Sequence, residues 1–308
     1  MTGLGALIKR NVKLYFRDKG MFFTSLITPI ILLVLYSTFL KNVFEESFKG
    51  ELMKAGAQIP DSLIKGCVGG QLISSLLAVS CVTVPFCSNL IMVQDKLTGA
   101  RRDLNVAPVR SSTLALGYYV ATLVSSLIIS YIALGACFLY LGVTGWYLSA
   151  IDVVSLIVTV FLITLFGTAL SSCVVFPLKT NGQASAVGTI VSAGYGFVCG
   201  AYMPISSFSD TLQKVLSFLP GTYGTSLLRN FSMRGTFAEM AKFGFPDEVV
   251  EKIKDSVDCN LYFFGHGVKQ WEMFAVVIGT VLLLIFAYIM MNALKGRKKG
   301  AKMGNKAA

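Results

Sequence analysis

The long apolar stretches of this 308-residue sequence contain no charged residue, although charged residues make up 14% of the chain. Proton-coupled carriers and membrane pumps usually keep ionisable residues inside their spans, because such residues are costly there and persist mainly for function. The only histidine, His266, stands between two glycines with no clustered partner for metal or nucleophilic chemistry. These absences disfavour an intramembrane enzyme and a proton-driven carrier.

The sequence also lacks the G-x-x-x-x-G-K-[ST] motif whose backbone cradles nucleotide phosphates. The chain therefore cannot hydrolyse ATP by that route, and we expect it to have no catalytic, cofactor-binding or metal site of its own. If ATP drives this protein, another polypeptide must bind ATP and Mg²⁺.

The seven cysteines show no metal-binding spacing. Five lie within apolar stretches, where cysteine behaves as a small apolar residue. Cys67 and Cys259 fall on the same predicted side of the membrane, where an oxidising compartment would permit a disulfide. The sequence leaves open whether they form one, because it does not give the Cα separation that a bridge requires.

Hydrophobic residues make up 54% of the chain, and they occur in runs too long for a soluble core. A bilayer core about 30 Å thick needs roughly 20 apolar residues in helical form. The runs that meet or nearly meet this length are residues 21–40, 67–92, 113–141, 153–178, 184–202 and 274–294. The sequence predicts an all-α polytopic membrane protein with six transmembrane helices in one domain, residues 1–308.

The basic residues fix the expected orientation, because short loops rich in Lys and Arg stay in the cytoplasm. One side holds sixteen of the 27 basic residues and three of the 16 acidic residues, a net charge of +13, which leaves −2 on the other side. The basic side includes the N-terminus, the loop 94–112 and the basic tail 295–308. Both termini are thus expected in the cytoplasm, and the basic charge indicates contact with anionic lipid and not with nucleic acid.

Residues 4–19 have the periodicity of an amphipathic helix that precedes the first span. One face is apolar, and the other carries Lys9, Arg10, Lys13 and Arg17. Such a helix lies in the headgroup plane with its basic face toward anionic lipid or a cytoplasmic partner. The alternative is an ordinary basic segment that only sets the topology.

Residues 206–230 have the pattern of a re-entrant helical hairpin between spans five and six. A short helix with apolar residues at Phe208, Leu212 and Leu216 is broken at Pro220-Gly221, and a second helix is expected from about Thr222 to Asn230. Such a hairpin is tolerated at membrane depth where it packs against protein or water. Residues 231–269 are expected to form an extracellular region.

Spans two and five are the more polar ones. Phe86 and Asn89 in the second, and Ser192 and Tyr195 in the fifth, are candidates for a translocation path or for the seam of a dimer. Small residues in the same spans also permit close helix approach. Simple helix packing therefore remains an equal alternative.

The loop after span two carries the most specific pattern in the chain. Its residues Asp95-Lys96-Leu97-Thr98-Gly99, then Leu104 and Ala107-Pro108-Val109, resemble the acidic-basic-x-x-Gly, Leu, Ala/Thr-Pro-Val pattern of the ABC transporter type-2 permeases. The order of elements is also similar: an amphipathic helix, six spans, and Gly200 to Pro204 after span five. The chain departs from the family where a second acid is common, since Leu97 follows Asp95 and Lys96.

This resemblance implies a permease subunit of a bacterial ABC exporter in the cell membrane. Two copies, or two related chains, would form the translocation path, each docked on a cytoplasmic ABC ATPase. The coupling segment would contain Asp95, Lys96, Gly99, Arg101, Arg102, Leu104 and Pro108, with the three basic residues as candidates for pairing with acids of the ATPase. The hairpin residues Phe208, Leu212, Leu216 and Pro220 would form an outer gate. The alternative is a secondary carrier or channel that works without ATP, and the transported substrate cannot be read from the sequence.

Overall fold

The structure of the protein is a computed structural model. It describes residues 2–36, 38, 41–42, 45–46, 48, 50, 60–106 and 111–307. For residues 295–307 and a few single positions it describes the backbone alone.

The described chain is almost entirely helical. In chain order the helices are α1 (Thr2–Arg17), α2 (Lys19–Leu35), α3 (Asp61–Ser88), α4 (Leu90–Leu97), α5 (Ala100–Val106), α6 (Ser111–Thr144), α7 (Ala150–Val175), α8 (Asn181–Val198), α9 (Asp210–Leu216), α10 (Pro220–Lys242), α11 (Asp247–Ser256) and α12 (Gln270–Ala307), with a 3₁₀ turn at Ile205–Ser207. Strands β1 (Leu261–Phe263) and β2 (His266–Val268) form an antiparallel hairpin that the sequence did not predict. The all-α polytopic fold is confirmed apart from this small hairpin.

Helix α3 is the centre of the molecule. It is buried along nearly its whole length and packs against α2, α6, α7, α8 and α10. Glycines allow this close packing: a Cβ at Gly70 would lie 2.9 Å from the Ser232 carbonyl oxygen, and a Cβ at Gly167 would lie 2.5 Å from the Cys81 carbonyl oxygen. Small residues at helix contacts are how membrane helices approach one another without a hydrophobic driving force.

Four helical segments of the described chain are long and apolar enough to cross a membrane, and a fifth is counted if the bent pair α1–α2 is taken as one span. These four segments are Asp61–Leu97, Ser112–Thr144, Ala150–Val175 and Gln270–Leu294, which correspond to the second, third, fourth and sixth predicted spans. The predicted span 21–40 runs beyond α2 into residues that are only partly described. The predicted span 184–202 overlaps α8, whose polar and glycine residues lower its mean hydropathy. A count of six therefore stays a prediction.

The helices α1 and α2 meet at a bend of 74°. Asp18 lies at the bend, and its carboxylate accepts a hydrogen bond from the backbone nitrogen of Met21 at 3.1 Å, which caps the start of α2. On α1, Leu7 and Tyr15 are buried. Leu7 packs so closely on Gly117 of α6 that a Cβ there would require the leucine side chain to shift, so α1 is held against the helical bundle.

Helix α10 is longer than the sequence predicted. It runs from Pro220 to Lys242, so the predicted end near Asn230 is wrong, and the first part of the expected extracellular region is helical. The sequence did not indicate that this helix is buried, because many of its residues are polar. The hydroxyl of Ser232 donates to the Gly70 carbonyl oxygen at 2.9 Å, which ties α10 to α3.

The cysteines Cys67 and Cys259 are both buried free thiols in this structure. Burial raises the pKa of the Cys259 thiol to about 12. This thiol is therefore fully protonated near neutral pH, which makes it a poor nucleophile.

Candidate functional site

The carboxylate of Asp95, at the end of α4, joins three helices. It accepts two hydrogen bonds from the guanidinium of Arg10 on α1, both at 2.8 Å, and one from the Tyr118 hydroxyl on α6 at 2.5 Å. Its side chain is only 7% exposed. A bidentate arginine–carboxylate pair fixes both distance and orientation, so α1, α4 and α6 are held together at the predicted coupling segment.

The next residue, Lys96, binds the end of α7. Its ammonium donates to the carbonyl oxygens of Phe176 and Leu178, each at 2.7 Å. The last carbonyls of a helix have no partner within the helix and carry partial negative charge, so a cation there is favourable. Asp95 and Lys96 together therefore link α4 to α1, to α6 and to the end of α7.

Arg101, on α5, lies over two aromatic rings. Its guanidinium carbon is 5.9 Å from the Tyr118 ring centroid and 5.7 Å from that of Phe176. These are cation–π contacts. Lys96 and Arg101 thus both contact their own chain, and their pairing with acids of an ATPase stays a prediction.

The turn between α4 and α5 requires glycine. Gly99 has a φ of +84°, a conformation that other residues rarely adopt. Its carbonyl oxygen accepts from the backbone nitrogen of Arg102 at 2.6 Å, which starts α5. Arg102 is exposed, whereas Leu104 is partly buried against the Leu7–Tyr15 side of the core. Pro108 lies outside the described residues.

On α1, the basic residues divide into two roles. Lys9, Lys13 and Arg17 are exposed, whereas Arg10 is turned toward Asp95. On the same helix Leu14 is 39% exposed, so the apolar residues of α1 are not all covered by the bundle. The exposed basic face and the exposed Arg102 together leave a positively charged surface at this end of the molecule.

The four candidate path or seam residues do not form one surface in a single chain. Phe86 and Asn89 are buried, and the amide of Asn89 donates to the hydroxyls of Ser171 and Ser172 on α7 at 3.2 and 3.1 Å. These contacts favour the helix-packing interpretation for Asn89. Ser192 and Tyr195 are partly buried on α8.

The predicted outer-gate residues lie in α9 or close to its ends. Leu216 is buried, Phe208 and Pro220 are partly buried, and Leu212 is 40% exposed. The carbonyl oxygen of Leu216 accepts from the hydroxyl of Thr222 at 3.0 Å. Residues 208–220 therefore pack onto the first turn of α10.

A buried ion pair beside this region was missed from the sequence. Arg229, on α10, is 1% exposed; one of its terminal nitrogens lies 3.0 Å from the Asp258 carboxylate, and the other donates to the Gly200 carbonyl oxygen. Asp258 also accepts from the backbone nitrogens of Ile205 and Ser206 at 2.5 and 3.1 Å. The signal available in the sequence was the single arginine near the end of the predicted hairpin 206–230.

Asp152 is the acid in the first turn of α7. It forms a capping box with Ser149 at the start of α7, and its other oxygen lies 2.6 Å from Nε of Arg234 on α10. This second contact could not be foreseen, because it joins residues far apart in the sequence.

The described residues contain no group of three or more His, Cys, Asp or Glu side chains that could hold a metal ion. A comparison with curated proteins gave no match. A family model described as ABC-2 type transporter matches residues 2–231, which is most of the chain and includes α1, the Asp95 cluster and the start of α10. The resemblance drawn from the sequence is thereby confirmed, and the chain belongs to the ABC-2 type transporter family of membrane components of ABC transporters.

Proposed function

We propose that this chain is the permease subunit of an ATP-driven exporter that dimerises and docks on separate cytoplasmic ATPase subunits, which bind the ATP and Mg²⁺. The observation that carries the proposal is the Asp95 cluster. It connects α1, the coupling segment and two long helices through directed, charged contacts. A segment held in this way transmits a push to the helices instead of yielding locally.

The docking surface is assigned to the groups that the cluster leaves exposed. Arg102 on α5 and the face of α1 with Lys9, Lys13 and Arg17 supply positive charge, which steers an acidic partner surface into register. Closure of two ATPase subunits on ATP binding would then move α4 and α5 as one body. This motion would shift the population between inward-facing and outward-facing arrangements.

The proposed topology has six spans and both termini in the cytoplasm of a bacterial cell. The basic charge at one end and the four long apolar helices support it. The 74° bend between α1 and α2 fits a helix in the headgroup plane followed by a span. α8 is proposed as the fifth span.

We assign α9 and α10 to a re-entrant hairpin that acts as the outer gate. Gly224, near the start of α10, lies in contact with Ile163, which is near the middle of α7. Gly221 lies against the Tyr195 ring of α8. The start of α10 thus lies level with the middle of α7 and is packed by protein. Under these conditions the break between α9 and α10 is tolerated at membrane depth.

The seam between two permease chains is assigned to α8. Its outward side exposes Ile190 (69%) and Phe197 (53%), with the small residues Thr189 and Ala193 beside them. Small residues flanked by large apolar ones suit close packing of two helices in lipid. A second permease chain, identical or related, would cover this side.

The test is to purify the chain with its candidate ATPase and to measure both complex formation and ATP turnover. We expect the pair to co-purify and Arg102→Glu to weaken the complex by about tenfold, because the reversal places like charges together. Lys242→Glu is the matched control, since Lys242 is an exposed cation at the end of α10, away from the coupling segment. Equal behaviour of the two variants, or no association at all, would overturn the proposal.

A further inference from the structure

A cavity of about 200 Å³ lies between α9, the first turn of α10, the end of α11 and β1. None of the candidate site residues predicted from the sequence lines it, and its polar groups come from the 3₁₀ turn, α9, α10, α11, β1 and the connection between the last two. Its volume is enough for a small organic molecule. Its chemistry follows from which of the lining groups still have free hydrogen-bonding capacity.

The side-chain donors that line the cavity are already used within the protein. The amide nitrogen of Gln213 donates to the Phe208 carbonyl oxygen at 2.7 Å, and the hydroxyl of Tyr223 donates to the Ser217 carbonyl oxygen at 2.5 Å. The hydroxyls of Ser206, Ser217 and Thr222 donate to the carbonyl oxygens of Ser256, Lys214 and Leu216. The groups that remain for a ligand are oxygen acceptors, among them the side-chain carbonyl of Gln213.

The donors nearest to Asp255 point at Asp255 itself. Asn260 Nδ2 and the Tyr262 hydroxyl lie 2.8 and 3.0 Å from Asp255 Oδ1. The hydrogen bond from Tyr262 to this carboxylate raises the pKa of the phenol, so the phenol stays protonated and keeps donating near neutral pH. The second oxygen, Oδ2, accepts no hydrogen bond from the described residues.

The cavity keeps one uncompensated negative charge. It is lined by two carboxylates, and that of Asp258 is balanced by the buried Arg229. The neighbouring cation Lys254 is paired with Glu251 at 2.7 Å. Asp255 has no ion-pair partner among the described residues, and the aromatic side chains of Tyr223 and Tyr262 line the same cavity.

We propose that this cavity binds the ammonium group of a small protonated amine, with Asp255 as its counter-ion. An ammonium brings the N–H donors and the positive charge that the lining lacks, and the tyrosine rings favour a cation over a neutral group. A divalent metal ion fits less well, because the described residues offer no cluster of three or more acidic, histidine or cysteine ligands. Since α9 and the start of α10 also form the proposed gate, a bound amine would join that gate to β1, but the binding itself does not depend on the transport function.

The first test uses the unaltered full-length chain in lipid nanodiscs and needs no variant. Binding of n-butylammonium is measured by titration calorimetry beside n-butanol, which has the same apolar chain and no charge. We expect saturable binding of n-butylammonium and at least about tenfold weaker binding of n-butanol, since charged hydrogen bonds are the stronger ones. Equal binding of the two, or no saturation with either, would overturn the proposal, as would displacement of the amine by Ca²⁺ at a lower concentration.

The second test assigns the charge to Asp255. Asp255→Asn keeps the shape and one acceptor oxygen, and we expect it to weaken n-butylammonium binding by about tenfold or more. Asp247→Asn is the matched control, because Asp247 is an exposed acid at the other end of α11. This variant should bind n-butylammonium as the unaltered chain does. Equal affinity of the two variants would remove Asp255 from the site and with it the proposed recognition.

Discussion

A single carboxylate compensates the charge of the buried Arg229. We expect Asp258→Ala to lower the free energy of unfolding by about 3–5 kcal/mol, because it leaves that guanidinium buried without a counter-charge and also frees the backbone nitrogens of Ile205 and Ser206. Thermal unfolding of the detergent-purified chain measures the change. Asp247→Ala, at an exposed acid, is the control and should unfold like the unaltered chain; equal unfolding of the two variants would show that Arg229 does not need Asp258.

Glycine is required at one contact of α7 with α3. A Cβ at Gly167 would lie 2.5 Å from the Cys81 carbonyl oxygen, and backbone cannot yield as a side chain does. We expect Gly167→Ala to destabilise the chain by about 1–3 kcal/mol through overpacking, measured by thermal unfolding in detergent.

The matched control for this glycine is Gly188→Ala. Gly188 lies inside α8, and a Cβ there meets nothing within 4 Å. In a helix the change from glycine to alanine is otherwise favourable by about 0.5–1 kcal/mol, so this variant should be neutral or more stable. An unchanged Gly167→Ala protein would mean that α7 can move away from α3 at little cost.

At the scale of an element, the Arg10–Asp95 pair joins α1 to the coupling segment. We expect Arg10→Gln to lower permease-dependent ATP turnover by about fivefold or more, because the coupling energy carried by such contacts is typically 1–3 kcal/mol. The measurement is ATP hydrolysis by the purified complex. The ATP turnover of Arg10→Lys should lie between that of the unaltered complex and that of Arg10→Gln, since lysine keeps the charge without the bidentate geometry.

Lys9→Gln is the control for the pair, because it removes the same charge from the neighbouring residue, whose side chain is exposed. Its turnover should fall less than that of Arg10→Gln, because Lys9 is part of the proposed docking face but not of the Asp95 cluster. If Arg10→Gln behaves like Lys9→Gln, the loss is one of surface charge and α1 does not act through Asp95.

The elements that could be predicted from the sequence are those whose signal is local. The apolar run 153–178 predicted α7 to within three residues, and the family suggested by the pattern around Asp95 is confirmed by the matching family model. The length of α10 could not be predicted, because its burial depends on contacts such as that of Ser232 with Gly70. Two contacts of the Asp95 cluster were hidden for the same reason, since Arg10 lies 85 residues from Asp95 and Phe176 lies 80 residues from Lys96 along the chain.

At the scale of the whole molecule, the charged contacts lie toward the two ends of the bundle. The Arg10–Asp95 pair is at the predicted inner end, and the pairs of Arg229 with Asp258 and Arg234 with Asp152 lie toward the other end. Between them, α3 and α7 meet through small residues and the amide and hydroxyl contacts of Asn89. This division suits a bundle whose ends are fixed units and whose middle permits small sliding of helices.

Membrane orientation is the whole-molecule property that decides whether α8 is a span, and so between six spans and five. With six, Thr180 before α8 lies in the cytoplasm and Asp247 at the start of α11 lies outside. We expect Asp247→Cys to react with a membrane-impermeant maleimide in intact cells and Thr180→Cys to react only after permeabilisation. The native cysteines give a low background, because five of the seven are buried and the other two are partly buried. If both engineered cysteines react only after permeabilisation, α8 does not cross the membrane, and the cavity beside Asp255 faces the cytoplasm.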